Sequence, residues 1–337
     1  MLRILPGEAV TSRILDILAI GDAIVDVIAT CDDAFLVAHD LPKGSMQLLT
    51  PPQAETLYQA MGSARETSGG SAANTMAGLA AMGGRAGFVG QVASDQLGLI
   101  FQHDMRALGV HFNTAPIEGG MPTGRCLILV TPDAQRTMNT CPGASHQLKP
   151  ETLDEGLIRG AAMLFLEGYL FGPELPRRAM ERGVGIARAA GNRVAFTLSE
   201  SVCIADRKDA FTLMLDGGGI DLLFANEDEA RQLTGTADLD DALAELSTKV
   251  ATLVVTRGPA GALAVEGGKR TDVPAISVRE VVDTTGAGDL FAAGFLAARI
   301  KGHGIDRQLM TGGIAAAEII SHFGARPVAD LAELVKL

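Results

Sequence analysis

Short, wholly apolar runs recur along this chain, separated by longer stretches rich in Ala, Leu, Met and Arg. LDILAIG, AGFVGQV, MLFLEGYL, RVAFTLS, DLLFAN and TLVVTRG are each of strand length, and each reads as a strand buried on both faces. Such strands need helices above and below them. The segments between supply these, as in the helical patterns of Pro176 to Ala190 and Glu227 to Leu233. Strands alternating with helices predict parallel βαβ units. The expected fold is therefore α/β, a three-layer αβα architecture around a mostly parallel central sheet.

Two regions break this rhythm. Residues 32–50 and 111–142 carry short alternating segments, and GRCLILVTPD followed by RTMNT predicts a hairpin whose turn begins at Pro132 and Asp133. We read these segments as a small β lid beside the main sheet. The chain has no Ser/Pro-rich linker, no low-complexity tract and no internal repeat. The expectation is one domain over residues 1–337, carrying lid segments at about 32–50 and 111–142.

Composition removes several function classes. A formal net charge of -12 lacks the basic footprint that nucleic acid requires. The four cysteines form no C-x-x-C pair, and the six histidines show no zinc-ligand spacing, so reduced buried thiols are expected rather than a metal centre. The run ILDILAIGDAIVDVIAT is apolar enough to raise the question of a membrane. Asp16, Asp22 and Asp26 interrupt it, and a charge at a bilayer centre costs about 2.5–3.5 kcal/mol or more. A buried first strand and a cytoplasmic location are the expectations, with no membrane partner.

Chemistry enters at five places. In VVDTTGAGDLFAAGF, Gly286 and Gly288 flank Ala287 at the mouth of a helical run from Leu290 to Arg299. Unpaired N–H groups and the dipole at a helix N-terminus suit an anion such as phosphate. Asp289 beside them could take a proton from an attacking hydroxyl. An Asp in a first helical turn is also favoured by roughly 0.3–1 kcal/mol without any catalytic role. No P-loop occurs, and Phe291 stands where a dinucleotide fingerprint needs a small residue.

SGGSAANT, Ser68 to Thr75, pairs two glycines with Asn74, whose amide both donates and accepts, as sugar hydroxyls require. An N-capped glycine turn is the plainer alternative. GDAIVD places Asp22 and Asp26 at the end of the first strand, where an acid could grip neighbouring hydroxyls or simply be solvated. NEDEA offers Asn226 and Glu229 at a strand-to-helix junction, suited to Mg²⁺ with water and phosphate or to a dipole-favoured helix start. VVTRGPAG sets Thr256, Gly258 and Gly261 in a loop that could meet polyphosphate or serve as an ordinary turn.

These signals occur together and in one order, and the chain resembles the ribokinase-like (PfkB) family of ATP-dependent sugar and nucleoside kinases from about Ile14 to about Pro327. DTTGAGDLFAAGF, GGSAANT and NEDEA carry the likeness. It implies the ribokinase-like fold, Asp289 as general base, and the amides of Gly286, Ala287 and Gly288 as an anion hole. It implies an acceptor held by Asp26, Gly70 and Asn74, with Asp22, Gly69 and Ser71 beside them. Glu229 and Asn226 would organise Mg²⁺ through water, and Thr256, Gly258 and Gly261 would line the ATP phosphates. Asp283, Thr285 and the Gly324 region match a K⁺ position, and a homodimer is a family habit.

FTLSES and PTGRCLILV followed by QRTMNT are similar to the adenosine kinase branch, which places Arg136 near the phosphates and Tyr169 against a purine. Val202 stands where that branch carries a second aromatic, and the chain has no Trp and two Tyr. A pentose, hexose or other ribose-like acceptor therefore stays open. So do two other classes, a dinucleotide-dependent oxidoreductase and a binding protein without turnover.

Overall fold

The apolar runs form the middle of an eight-stranded sheet. In the computed structural model, which describes residues 13–133 and 135–337, the strands in chain order are β1 Leu15–Ile20, β2 Ile24–Thr30, β3 Met46–Leu48, β4 Arg65–Gly69, β5 Ala86–Val89, β6 Gly124–Val130, β7 Arg136–Cys141, β8 Ala161–Glu167, β9 Arg193–Thr197, β10 Leu222–Asn226, β11 Thr252–Thr256, β12 Ala262–Glu266 and β13 Lys269–Val273. Residues 1–12, part of the single-domain expectation, lie outside the described residues. The main sheet runs β13-β12-β11-β10-β9-β8-β1-β5. It is parallel from β5 to β11, and β12 and β13 add an antiparallel edge.

Alternate residues of each central strand serve opposite layers. Ile17 and Ala19 of β1 join Phe88, Phe165 and Phe224 under the helices Ser71–Ala81, Ala287–Ile300 and Ile305–Ile319. Leu18 and Ile20 face the other way, onto Leu164, Leu166 and Val194 and the helix Glu174–Ala189. Both faces are thus covered, and burying each such side chain contributes roughly 1.5–3 kcal/mol.

A second sheet of five strands, β3-β7-β6-β2-β4, sits beside the first. It draws β3, β6 and β7 from the two irregular regions, and it also takes β2 and β4 from outside them. On β2 and β6, Val25, Val27, Leu127 and Leu129 belong to the main core. Their alternates Ile24, Cys126 and Ile128 form a small apolar cluster on the other face, with Met138 of β7 against it.

The run expected to be one first strand is therefore two. β1 ends at Ile20, and after Gly21 to Ala23 the chain enters the second sheet as β2. Several contacts hold the turn: the Gly21 N–H donates to the Val89 carbonyl (3.1 Å), and the buried Asp22 N–H donates to Glu167 Oε1 at the end of β8 (2.6 Å). Asp22 stays at the end of a parallel strand, but Asp26 does not; it lies within β2, opposite Thr67 of β4. The four cysteines are free, two buried and two half-buried. Among the described residues no helix is long and apolar enough to cross a membrane.

Candidate active site

A cleft of about 800 Å³ lies between the C-terminal ends of the parallel strands and the second sheet. That edge is where ligands bind in open α/β sheets. Among the helix N-termini that open into it, two meet at Asp289. Gly286 caps the helix Ala287–Ile300 with φ +77°, a left-handed backbone that glycine adopts without penalty. The Ala287 N–H turns back onto the Thr284 carbonyl (3.2 Å), and the first main-chain bond into the helix is Leu290 N–H to Gly286 C=O (2.9 Å). The amides of Gly286, Gly288 and Asp289 find no main-chain partner among the described residues. Of the expected trio, Ala287 is therefore already paired, while the Asp289 amide is unpaired beside Gly286 and Gly288.

The second terminus begins the helix Ser71–Ala81. Its cap, Gly70, has φ +94°, and a Cβ there would stand 2.2 Å from the Asp22 carbonyl oxygen. The turn throws two side chains onto one carboxylate. Ser71 Oγ donates to Asp289 Oδ1 (2.6 Å), and Asn74 Nδ2 donates to Asp289 Oδ2 (2.9 Å). Burial pushes the Asp289 carboxyl above the usual range, while these two hydrogen bonds and the Arg326 charge pull it down.

Asp26 faces the same cleft from β2. Burial pushes it up to about 6, against the charges of Arg326 and Arg136. Gly69 does not line the cleft; a Cβ on it would lie 2.5 Å from Asp26 Oδ2, so it makes room for that carboxylate instead. Asp22 does line it, held by Ser145 Oγ (2.8 Å), and burial raises its carboxyl despite the neighbouring His146. Tyr169 forms part of the wall, its phenol pushed up by burial. Overhead is the apolar face of the second sheet: Ile24, Met46, Cys126, Ile128 and Met138.

Comparison with known proteins decides among the classes. The family model for pfkB family carbohydrate kinases matches residues 16–331. The chain belongs to the PfkB family. It is similar to adenosine kinase from Sinorhizobium meliloti, at 44% identity and TM-score 0.89 over 96% of this chain and 99% of that one. A probable sugar kinase from Rhizobium etli is 42% identical, with TM-score 0.90 over 96% and 98% of the two chains. The 5-dehydro-2-deoxygluconokinase of Shouchella clausii is 28% identical, covering 80% of this chain and 85% of its own. This PfkB member is an ATP-dependent sugar or nucleoside kinase of ribokinase-like fold, and its likeness fits the adenosine kinase branch.

The side of the kinase cleft assigned to the nucleotide is built more locally. Asn226 caps the helix Glu227–Thr234 and closes a capping box: its Oδ1 accepts from Glu229 N–H (2.8 Å), and Glu229 accepts from Asn226 N–H (2.9 Å) and Nδ2 (2.8 Å). Both residues line the cleft, and burial pushes Glu229 up to about 7. Among the described residues no group of three or more acids, histidines or cysteines is placed to hold a metal. A lone carboxylate with free lone pairs fits Mg²⁺ carried on phosphate and water, not a protein cage.

Thr256 lines the cleft at the end of β11, but Gly258 and Gly261 do not. The Gly261 N–H donates to the Gly258 carbonyl (3.0 Å), and its carbonyl accepts from Arg257 N–H (2.8 Å), so Gly261 is paired within the loop, whereas the Gly258 N–H has no main-chain partner among the described residues.

Asp283 is buried away from the cleft, whereas Thr285 lines it. The Asp283 carboxylate accepts from Thr285 N–H (3.0 Å) and Gly324 N–H (2.8 Å). Arg136, at the start of β7, reaches across from the second sheet to the same place. Its guanidinium lies 2.8 Å from Asp283 Oδ2, donates to Thr285 Oγ1 (3.2 Å) and stacks over Phe323. It therefore touches a cleft residue without lining the cleft itself, because Asp283 draws it inward.

Two residues escaped the sequence reading. Glu167, fully buried, accepts from Asp22 N–H and Ala72 N–H (2.6 Å each) and ties the β1 turn to the Ser71 helix. An acid inside the apolar run MLFLEGYL was the available signal, since a buried carboxylate needs partners. Arg326 sits in the loop GARPV, where nothing local marks it.

Proposed function

We propose that this kinase moves the ATP γ-phosphoryl group to a primary hydroxyl of a nucleoside, with adenosine the favoured acceptor and Asp289 the general base. One observation carries the reading: a carboxylate fixed by Ser71 and Asn74 at a helix mouth whose own amides are unpaired. Its two oxygens each accept one hydrogen bond and keep a lone pair for the acceptor O–H. Loss of that proton to Asp289 sharpens the nucleophile as the amides of Gly286, Gly288 and Asp289 meet charge on the moving phosphoryl group.

Asp26 would hold neighbouring ribose hydroxyls, with Asn74 and Gly70 at the same end of the cleft. The apolar ceiling and Tyr169 extend beyond what a pentose alone needs, which favours a base over a small sugar. Glu229 with Asn226 would hold Mg²⁺ through water, and the ion would supply charge neutralisation on the phosphates. The second sheet acts as a lid that excludes water, with Arg136 spanning from it to the 283–285 turn. In that turn Asp283 is already matched by Arg136, so a K⁺ would rest mainly on carbonyl oxygens and Thr285.

The test is acceptor-dependent ADP release across nucleosides, pentoses and hexoses, run from zero K⁺ upward. Adenosine should give the highest kcat/KM, and K⁺ should raise the rate. Turnover on sugars alone would overturn the nucleoside reading, and a rate indifferent to K⁺ would remove the cation.

A further inference from the structure

Behind Asn74 lies the half-buried Arg326, whose Nε is shut off from solvent and whose guanidinium touches no carboxylate among the described residues. Arg326 donates through Nη1 to Asn74 Oδ1 and through Nη2 to Ser68 Oγ (3.0 Å), and Nη2 also lies 4.0 Å from Met105 Sδ. Its Nε has no partner. Among the described residues it makes no ion pair within 4.0 Å. The charges around it come from three elements: Asp26 on β2, Asp289 on the helix Ala287–Ile300, and Asp104 on the helix Gln96–Ala107. Asp104 is itself engaged, accepting from Ser68 N–H (2.9 Å). Burying a cation without a direct counter-ion is costly, so packing alone is better served by an apolar side chain.

The geometry of Asn74 says what the cation does. A carboxamide has an accepting end and a donating end, and reversing it costs little in an even environment. Here the environment is polarised. Arg326 presents N–H groups to Oδ1 on one side, and Asp289 presents a carboxylate to Nδ2 on the other. Reversal would set N–H against guanidinium and carbonyl oxygen against carboxylate.

We propose that Arg326 is a positioning residue for phosphoryl transfer, locking the Asn74 amide so that its Nδ2 holds the Asp289 carboxylate in place. The proposal rests on the reading of Asp289 as base. Arg326 touches neither Asp289 nor the cleft; it acts through Asn74, and its charge also opposes the effect of burial on Asp26 and Asp289.

The experiment is a double-mutant cycle on the full chain with ATP, Mg²⁺ and the best acceptor of the screen, with thermal melting on each variant. Arg326→Met should lower kcat by roughly 10–100-fold, the scale of a catalytic group misplaced by about 1 Å. The ATP KM should change little, and Arg326→Lys should recover part of the loss. In an Asn74→Ala background, Arg326→Met should cost about 2-fold or less, because the amide it orients is gone. Equal losses in both backgrounds, or an unchanged kcat with only a lower melting temperature, would overturn the proposal. If Arg326→Met does not fold, Arg326→Lys and Arg326→Gln carry the same cycle. Asp289→Asn run alongside separates the two readings: if it keeps near-normal turnover, the base assignment fails, whereas an inactive Asp289→Asn beside an inert Arg326→Met sinks only the positioning role.

Discussion

The floor and the ceiling of the cleft are built on opposite plans. On the floor, side chains with fixed hydrogen bonds meet: Ser71 and Asn74 grip Asp289, and Glu167 ties the Asp22 turn to the Ser71 helix. Its elements are anchored in a sheet covered on both faces. On the ceiling, Ile24, Cys126, Ile128 and Met138 form a small apolar cluster on one face of a second sheet. The floor carries oriented charge, to which the proposal gives the chemistry; the ceiling carries apolar shape, to which it gives the choice of acceptor. Asp26 is the exception, a carboxylate set into the apolar side.

The comparison breaks first at Asp289. Asp289→Asn should lower kcat by roughly 10²–10⁴-fold, the usual scale for a general base, and by a similar factor for every acceptor. A loss that varies strongly between acceptors would place Asp289 in binding. Next in size is Ile128→Ala, which removes volume above the acceptor. It should change the ratio of kcat/KM between a nucleoside and a pentose by about 10-fold, the scale of a few methylenes in an apolar pocket, while the effect of Asp289→Asn stays the same. An unchanged ratio would take selection away from the ceiling.

The smallest effect concerns stability. Asp26 stands at about 6 in the folded protein against 3.8 as its ordinary value, so the folded state holds its proton longer than the unfolded one. That contribution is fully present below pH 4 and is lost as pH rises through about 6. Asp26→Asn should therefore raise the melting temperature of the acceptor-free protein by a few degrees at pH 8, with the gain shrinking as pH falls toward 4. A lower melting temperature at pH 8 would mean that the carboxylate is needed to hold the second sheet.

Much of the floor was legible because its signals are local. The six apolar runs all became strands of the main sheet, and GAGD opened the helix that its glycines and apolar periodicity predict. The ceiling was harder. β4 reads RETSG, with no apolar alternation to mark it, and β2 was hidden inside an apolar run continuous with β1. At the break between them the Asp22 amide is held by Glu167, far away in sequence. At Gly261 the limit is of a related kind, since its amide is already paired inside the loop. Glycine freedom is visible in sequence, but whether an amide is already paired is a property of the folded loop. Arg326 shows the limit most clearly, since its partners Ser68 and Asn74 come from the other end of the chain.

The most direct test of the floor is the pH dependence of kcat for the wild type beside that of the residual activity of Asp289→Asn. Half-buried Asp289 is pushed by desolvation above the ordinary carboxylate value of 3.8 and must be ionised to accept a proton. Wild-type kcat should therefore fall with pH along a limb whose midpoint lies above that value, and the variant should lack this limb while keeping any that Glu229 or the nucleotide contributes. Identical limbs in the two proteins would contradict the assignment of Asp289 as the base.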